Sequence, residues 1–480
     1  MDGTKAAAPG AGWTWLAALV AVFMVAIDTL VVTTALPVIR VELDATLEGL
    51  EWTVNAYTLT FAVFLLSAAA LGDRYGRRRV FGIALGVFTV ASAAAALAPS
   101  IEALVAARAV QGLGSAAILP LSLTLLASVV PHEKRGHAFG LWGAMVGLGA
   151  AVGPVIGGAV TEGMSWQWIF WVNVPIGVML LPAMWLVRES RGGAGRLDPV
   201  GTLLVTVGLF GIVFGLVRGN GHGWGSGQVL AGLVGGGLLV LLFVVWQARA
   251  ATPMLPLRLF RSRGFSLTSV ATVAMPLGVF GCVFLGTQYL QTVLGFSPLE
   301  AGVRTLPWTA MPLLAAPISG RLADRIGGRP LVVAGLALQA VGVFWIASIA
   351  TPDLGYVNLV APFVVTGVGL GVFLAPIAQL AIGFAPPDLE GVASGTSNAL
   401  RQLGTVLGVS MAGALFAEYG GYETGQAFVD GLVAAHYVAA AVLAVGALFA
   451  LGIPARFTHR LPPAGAPAVP AAEKLEVSAA

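Results

Sequence analysis

Fourteen apolar runs, each near the length of about 20 residues that a helix needs to cross a bilayer, follow one another through this chain. They fall at approximately 13–36, 51–71, 80–98, 103–129, 137–160, 168–187, 199–217, 229–248, 265–291, 302–320, 330–350, 356–383, 393–417 and 432–452. In hydrocarbon every backbone N–H and C=O must find its partner inside the protein, which leaves helices and closed barrels. Barrel strands alternate apolar and polar residues and these runs do not. The pattern therefore predicts an all-α integral membrane protein of 14 transmembrane helices. Charged residues are only 10% of the 480, and a mean hydropathy of +0.90 excludes a water-soluble enzyme. Cys282 is the only cysteine, so no intrachain disulfide can form. The first run is too long for a cleavable signal, lacks a basic leader and carries Asp28.

Lys and Arg predict the sidedness. With the N-terminus in the cytoplasm, 20 of the 25 lie in cytoplasmic segments: Lys5, four in 74–79, Lys134 and Arg135, three in 188–196, four in 249–263, three in 321–329 and three in the tail. Arg40 and Arg218 fall outside, and Arg108, Arg304 and Arg401 fall within helices. That asymmetry is strongly positive-inside, so both termini are expected in the cytoplasm.

The chain also repeats itself. PHEKRGHAFG (131–140) aligns with PPDLEGVASG (386–395), Gly149, Gly153 and Gly158 align with Gly404, Gly408 and Gly413, and GDRYGRRR (72–79) echoes ADRIGGRP (323–330). The offset is 251–255 residues throughout. This predicts an N-terminal six-helix bundle (1–188), a two-helix insert (189–262), a C-terminal six-helix bundle (263–455) and a disordered tail (456–480). Parallel halves of this kind build one large class of transporters, with the substrate site between them near mid-membrane.

No lysine follows a glycine, so there is no Walker loop, and HExxH and GxSxG are absent. Neither an enzyme, a metal site nor a nucleic-acid partner is expected. Uphill transport would have to draw on an ion gradient rather than on a cofactor or ATP.

A few residues are costly where they stand. Asp28 is read as the one acid deep in a span, where a carboxylate costs about 2.5–3.5 kcal/mol on insertion scales. Arg108 lies at a similar depth in the fourth span, so the two could pair, or a proton could replace Arg108 on Asp28. The alternative is an ion pair with a purely structural role. Arg401 is the deep charge of the second half, beside Asn398 and Gln402, with Gln288 and Gln291 placed near it in topology. These could bond a substrate or only join helices. Asn55, Gln111 and Asn173 are further polar candidates for cargo, and Tyr57, Trp142 and Trp308 are candidate aromatic walls. Arg304, near an outer helix end, could snorkel.

Gates are expected in two places. The fifth span carries Gly153, Gly157 and Gly158 on a bare face that admits another helix, with Pro154 bending it. In the two cytoplasmic loops Gly76 and Gly327 permit tight turns, while Asp73 and Asp324 are placed to cap the following helices. Arg74, Arg77, Arg78 and Arg325 could bridge to neighbouring acids or carbonyls.

These motifs together resemble the major facilitator superfamily, specifically its fourteen-helix drug:proton antiporter branch. DRYGRRR and DRIGGR resemble the superfamily's loop after helix 2 and its second-half copy, with Ala69 where Gly is preferred and Gly320 keeping it. RAVQGLG (108–114) resembles the helix 4 motif and GPVIGG (153–158) the antiporter motif of helix 5. AIDTLVVTTALP (26–37), WQWIFWVNVPIG (166–177), GFSPLEAG (295–302) and SGTSNALRQLG (394–404) resemble branch signatures, with Leu30, Thr33 and Gln167 departing from them. The resemblance implies proton-coupled export of a small hydrophobic or amphipathic organic molecule by a monomer in a bacterial cell membrane. It implies that Asp28 and Arg108 handle the proton, and that Asp73 and Asp324 with their arginines latch the inner gate. The deep charges Asp28, Arg108 and Arg401 sum to +1, which suits neutral or weakly anionic cargo better than dications. An importing symporter and a non-transporting membrane receptor are the rival readings.

Overall fold

The structure is a computed structural model and describes residues 11–131, 135–192 and 197–455. Lys5, Lys134 and the tail 456–480, expected to be disordered, lie outside the described residues.

The N-terminal half is built from α1 (Ala11–Glu42), α2 (Leu47–Tyr75), α3 (Arg77–Ala96), α4 (Ile101–Val129), α5 (Arg135–Gly163) and α6 (Trp168–Leu186). The insert is α7 (Pro199–His222) and α8 (Gly227–Arg249). The C-terminal half runs α9 (Arg263–Val293), α10 (Pro298–Arg304), α11 (Leu306–Thr309), α12 (Met311–Ile326), α13 (Gly328–Ile349), α14 (Val357–Gly383), α15 (Glu390–Tyr419) and α16 (Gly425–Leu451). Side-chain caps explain several starts: Thr46, Ser100, Ser262 and Thr424 each accept from a backbone N–H three residues on.

Thirteen helices among the described residues are long and apolar enough to cross a membrane, rather than fourteen. The expected tenth span, 302–320, falls on three short helices instead. Prolines are the reason: Pro307 and Pro312 supply no N–H and each opens a new helix, leaving Thr305 and Ala310 as joints. The path stays helical, with the Thr305 N–H donating to the Ala301 carbonyl and the Ala310 N–H to that of Leu306.

The insert packs on the rim of the bundle. Asp198 caps α7 through the Gly201 N–H at 2.8 Å and accepts from Trp246 Nε1 (2.9 Å) and Gln247 Nε2 (2.6 Å) at the far end of α8, tying the two insert helices together. Leu209, Val213 and Val217 of α7 form one apolar cluster with Leu59 and Val63 of α2 and Val406 of α15, so α7 covers a seam between the halves. Burial alone would raise the Asp198 pKa, but these hydrogen bonds outweigh it and hold the carboxyl below the usual carboxylate range. A depressed folded pKa contributes stability above the unfolded value near 4, which is lost as pH falls through the folded one. Asp198→Asn is accordingly expected to lower the unfolding temperature at neutral pH and to flatten its decline in acid, measured by thermal unfolding in detergent.

Candidate proton and cargo sites

Asp28 is fully buried in the N-terminal half and is bonded to residues of α4 and α6, and through them to α2 and α3. Its Oδ2 accepts from Arg108 Nη1 at 2.6 Å, and its Oδ1 from Gln111 Nε2 at 2.7 Å and Asn173 Nδ2 at 3.0 Å. Gln111 Nε2 also donates to Ser92 Oγ at 2.8 Å. The pairing expected from matching depth is therefore made, at 1% and 0% side-chain exposure. Arg108 has other partners ready: Nε donates to the Thr53 carbonyl at 3.2 Å, Nη1 donates to Gln111 Oε1 at 2.7 Å, and its guanidinium carbon lies 4.1 Å from the centre of the Tyr57 ring. Tyr57 itself bonds Ser115 Oγ at 2.8 Å.

Three residues assigned to cargo thus stand elsewhere in this conformation. Tyr57, Gln111 and Asn173 are buried around the ion pair and do not line open space. Asn55 is buried too, donating to Ser410 Oγ of the other half at 3.0 Å. Trp142 packs within the N-terminal half, its Nε1 donating to Ser122 Oγ at 2.9 Å, and Trp308 is buried against Phe363.

Arg401 borders open space. It lines a cavity of about 80 Å³ with Asn398, Ser394, Ser397 and Thr272, backed by Phe373 and Ile377. Arg401 Nη2 donates to Asn398 Oδ1 at 3.0 Å, and among the described residues no carboxylate is paired with it. Gln402 lies in the same half-buried stretch, 397–403. Gln288 and Gln291 are not neighbours of this cavity. It touches α9 at Thr272, 16 residues or roughly 24 Å of helix before Gln288. Gln288 accepts from Tyr422 at 2.6 Å and Gln291 donates to the Thr34 carbonyl at 2.9 Å, both at the opposite end.

The hydrogen bonds between the halves gather at that opposite end. Glu162 of α5 accepts from Ser297 Oγ (2.5 Å) and the Leu299 N–H (3.0 Å), and Thr287 donates to the Thr33 carbonyl (3.1 Å). A Cβ on Gly158 would stand 2.2 Å from the Pro298 carbonyl oxygen, and one on Gly302 would stand 2.3 Å from that of Pro154. Gly153 and Gly157 face α1 within their own half, at Ile27, Leu30 and Thr34. Towards the arginine loops a Cβ on Gly140 or Gly143 would meet nothing within 4 Å, and Leu314, Ile318 and Leu322 of α12 are exposed. α5 and the α10–α12 stretch are clamped at one end and part toward the arginine loops, while α2 and α15 stay in contact there, a Cβ on Gly395 standing 2.7 Å from the Leu66 side chain.

Neither loop aspartate caps the helix that follows it. Asp73 does not cap α3. It pairs with Arg77 at 2.7 Å, and the N-terminus of α3 is met by Glu189, whose Oε1 accepts the Arg78 N–H at 2.9 Å. The Arg77 N–H donates to the Ser190 carbonyl at 2.9 Å. Gly76 turns at φ +110° and Gly327 at φ +85°, so the glycines serve as read. Arg74 lies over Tyr75, and α13 begins at Gly327 without a side-chain cap from Asp324; Asp324 and Arg325 are exposed. Arg304 pairs with Glu300 at 3.2 Å and covers the Phe296 ring at 3.6 Å, in place of a free snorkel.

The family profile described as the Major Facilitator Superfamily matches residues 18–290 and 283–479. A tetracenomycin C resistance and export protein of Streptomyces glaucescens is 36% identical over 88% of this chain and 78% of its own length. A cephamycin export protein, CmcT of Amycolatopsis lactamdurans, is 38% identical over 81% of this chain and 82% of its own. Among solved structures, a bacterial homologue of the human lysosomal transporter Spinster, crystallised inward-facing and unoccupied, has a TM-score of 0.68 at 17% identity, covering 94% of this chain and 98% of that one.

Proposed function

We infer the function from one premise: this chain belongs to the Major Facilitator Superfamily. It is a multi-pass membrane protein and an efflux transporter of the kind its antibiotic-export and resistance relatives represent. Beyond that, we propose that it exchanges protons for small organic molecules across a bacterial plasma membrane, as a monomer without cofactor or catalytic chemistry.

The observation that carries proton exchange is the buried Asp28–Arg108 pair with a second set of partners for Arg108. A proton on Asp28 removes the charge that holds Arg108 at 2.6 Å. The guanidinium can then rest on the Thr53 carbonyl, Gln111 Oε1 and the Tyr57 face without leaving a charge unsolvated. One protonation thus loosens the tie between α1 and α4, while the contacts of Arg108 to α2 persist, and this biases the two-state opening of the halves. With the arginine loops in the cytoplasm, as the charge distribution favours, the gap between α5 and α12 faces the cytoplasm and would admit cargo from there.

The Arg401 cavity supports cargo that is neutral or carries an acidic group, held between the guanidinium, Asn398 and apolar walls. Arg401→Gln is expected to raise KM for acidic cargo by about 10- to 100-fold, the loss of roughly 1.5–3 kcal/mol for a hydrogen bond to a charge. Neutral cargo should change by less than about threefold, well under 1.4 kcal/mol.

The direct test is purified protein in liposomes that hold a pH-sensitive dye. With a proton gradient imposed, neutral, cationic and anionic drugs are added in turn. Proton flux triggered by a drug, opposite in direction to the drug, supports antiport. Drug and proton moving together would replace export by import, and drug movement without proton flux would remove the coupling.

A further inference from the structure

Glu51 stands in α2 at the clamped end, 2% exposed, and takes no part in the network around Asp28. Its carboxylate lies against the other half, where a Cβ on Gly413 of α15 would come within 2.0 Å of Oε1. Oε2 is buried without a hydrogen-bond partner, and among the described residues no cation is paired with it. The titratable groups close enough to feel its charge are Glu48 and Tyr422. Glu48, one turn earlier on α2, is bonded to Arg218 at 2.9 Å. Arg40 of α1 sits 3.6 Å from the centre of the Tyr422 ring, so it is spent there. Glu418 and Glu423, further along α15 and in the loop after it, are exposed and add only negative charge. One turn on from Glu51 along the same helix, Asn55 Oδ1 is a second buried acceptor without a donor.

A dry, unpaired carboxylate between two packed helices is costly when ionised and cheap when protonated. Two orphaned acceptors one turn apart lack one hydrogen, and a protonated Glu51 supplies it. We propose that Glu51 is a second proton-binding site, a latch that must be protonated for the end opposite the arginine loops to close. Ionised Glu51 needs water and holds that end open. The proton comes from the solution at that end, and because Glu51 is sealed from the other side in this conformation, it returns there when the end reopens. Glu51 therefore sets the pH at which this end closes and adds nothing to the number of protons exchanged per cargo. The inference adds to the antiport reading above but is tested without cargo.

The test uses full-length protein with Cys282→Ala and spin labels on Val41 and Val357, both exposed at the clamped end of opposite halves. Distances are measured by pulsed electron paramagnetic resonance across the acid-to-neutral range. The parent is expected to gain the short-distance population in acid, and to do so still in the Asp28→Asn background. Glu51→Gln should hold the short distance at every pH. Gly413→Ala, which crowds the seat of the carboxyl, should shift the population the opposite way, which a merely unfolded variant of either kind could not mimic. A Glu51→Gln profile with the parent's pH midpoint, a parent with no pH response, or a Gly413→Ala variant that closes like the parent would each overturn the latch. Absence of drug-triggered proton flux in the parent protein would remove the antiport reading and leave this result standing.

Discussion

Asp28→Asn is expected to bring drug-triggered proton flux down to that of protein-free liposomes while the protein still reaches the membrane and elutes as a single species. The amide keeps the shape of the carboxyl and one acceptor for Arg108, but it binds no proton at any relevant pH. Removing one partner of a buried ion pair costs about 3–5 kcal/mol when the other charge is left without support. Here the Thr53 carbonyl, Gln111 and the Tyr57 ring remain to support Arg108, so the loss of stability should fall below that range. Asp28→Ala, which also takes away the Oδ1 acceptor shared by Gln111 and Asn173, should be the less stable of the two. Thermal unfolding of the pair beside the flux assay separates coupling from stability. Full flux in Asp28→Asn would take Asp28 out of the mechanism.

Gly158→Leu is the second large effect. With the Pro298 carbonyl oxygen 2.2 Å from the position a Cβ would take, no rotamer relieves the contact, and α5 and α10 must separate. Overpacking of this kind costs typically about 1–3 kcal/mol. Charged wholly to the conformation clamped at this end, that shifts the balance between the two states by roughly 5- to 150-fold. Export should fall by at least about tenfold at the upper part of that range. Gly163→Leu, five residues on, where a Cβ meets nothing within 4 Å, should export normally. Equal activity of the two variants would mean that closure does not need α5 and α10 in contact.

Much of this was legible in the sequence because membrane chemistry penalises exceptions. Asp28 and Arg108 stand out as charges inside apolar runs, and their pairing followed from matching depth. Gln111 and Asn173 could be recognised as buried polar groups, but nothing in a linear pattern distinguishes a cargo contact from a bond to Asp28. Glu51 sits at the first residue of an expected span, a position at which an acid reads as solvated; only the packing of α15 against α2 makes it buried. Gln288 and Gln291 lie on a helix that neighbours the one carrying Arg401, but adjacency of helices does not fix height along their axes. Glu189 follows α6 in an irregular segment, and its role at the start of α3 depends on a contact 111 residues apart in sequence. The tenth span shows the converse limit: hydropathy counts its length, while the chain geometry follows its prolines.

The position of α7 bears on how cargo arrives. A bundle of two rocking halves has two lateral seams, and lipid can reach the interior through either. Along one seam Leu209, Val213 and Val217 lie over α2 and α15, so acyl chains are replaced there by protein. Along the other, α5 and α12 part toward the arginine loops, and no helix among the described residues lies over them. The two seams therefore differ in what the surrounding acyl chains touch, and the transporter presents an asymmetric face to the membrane around it.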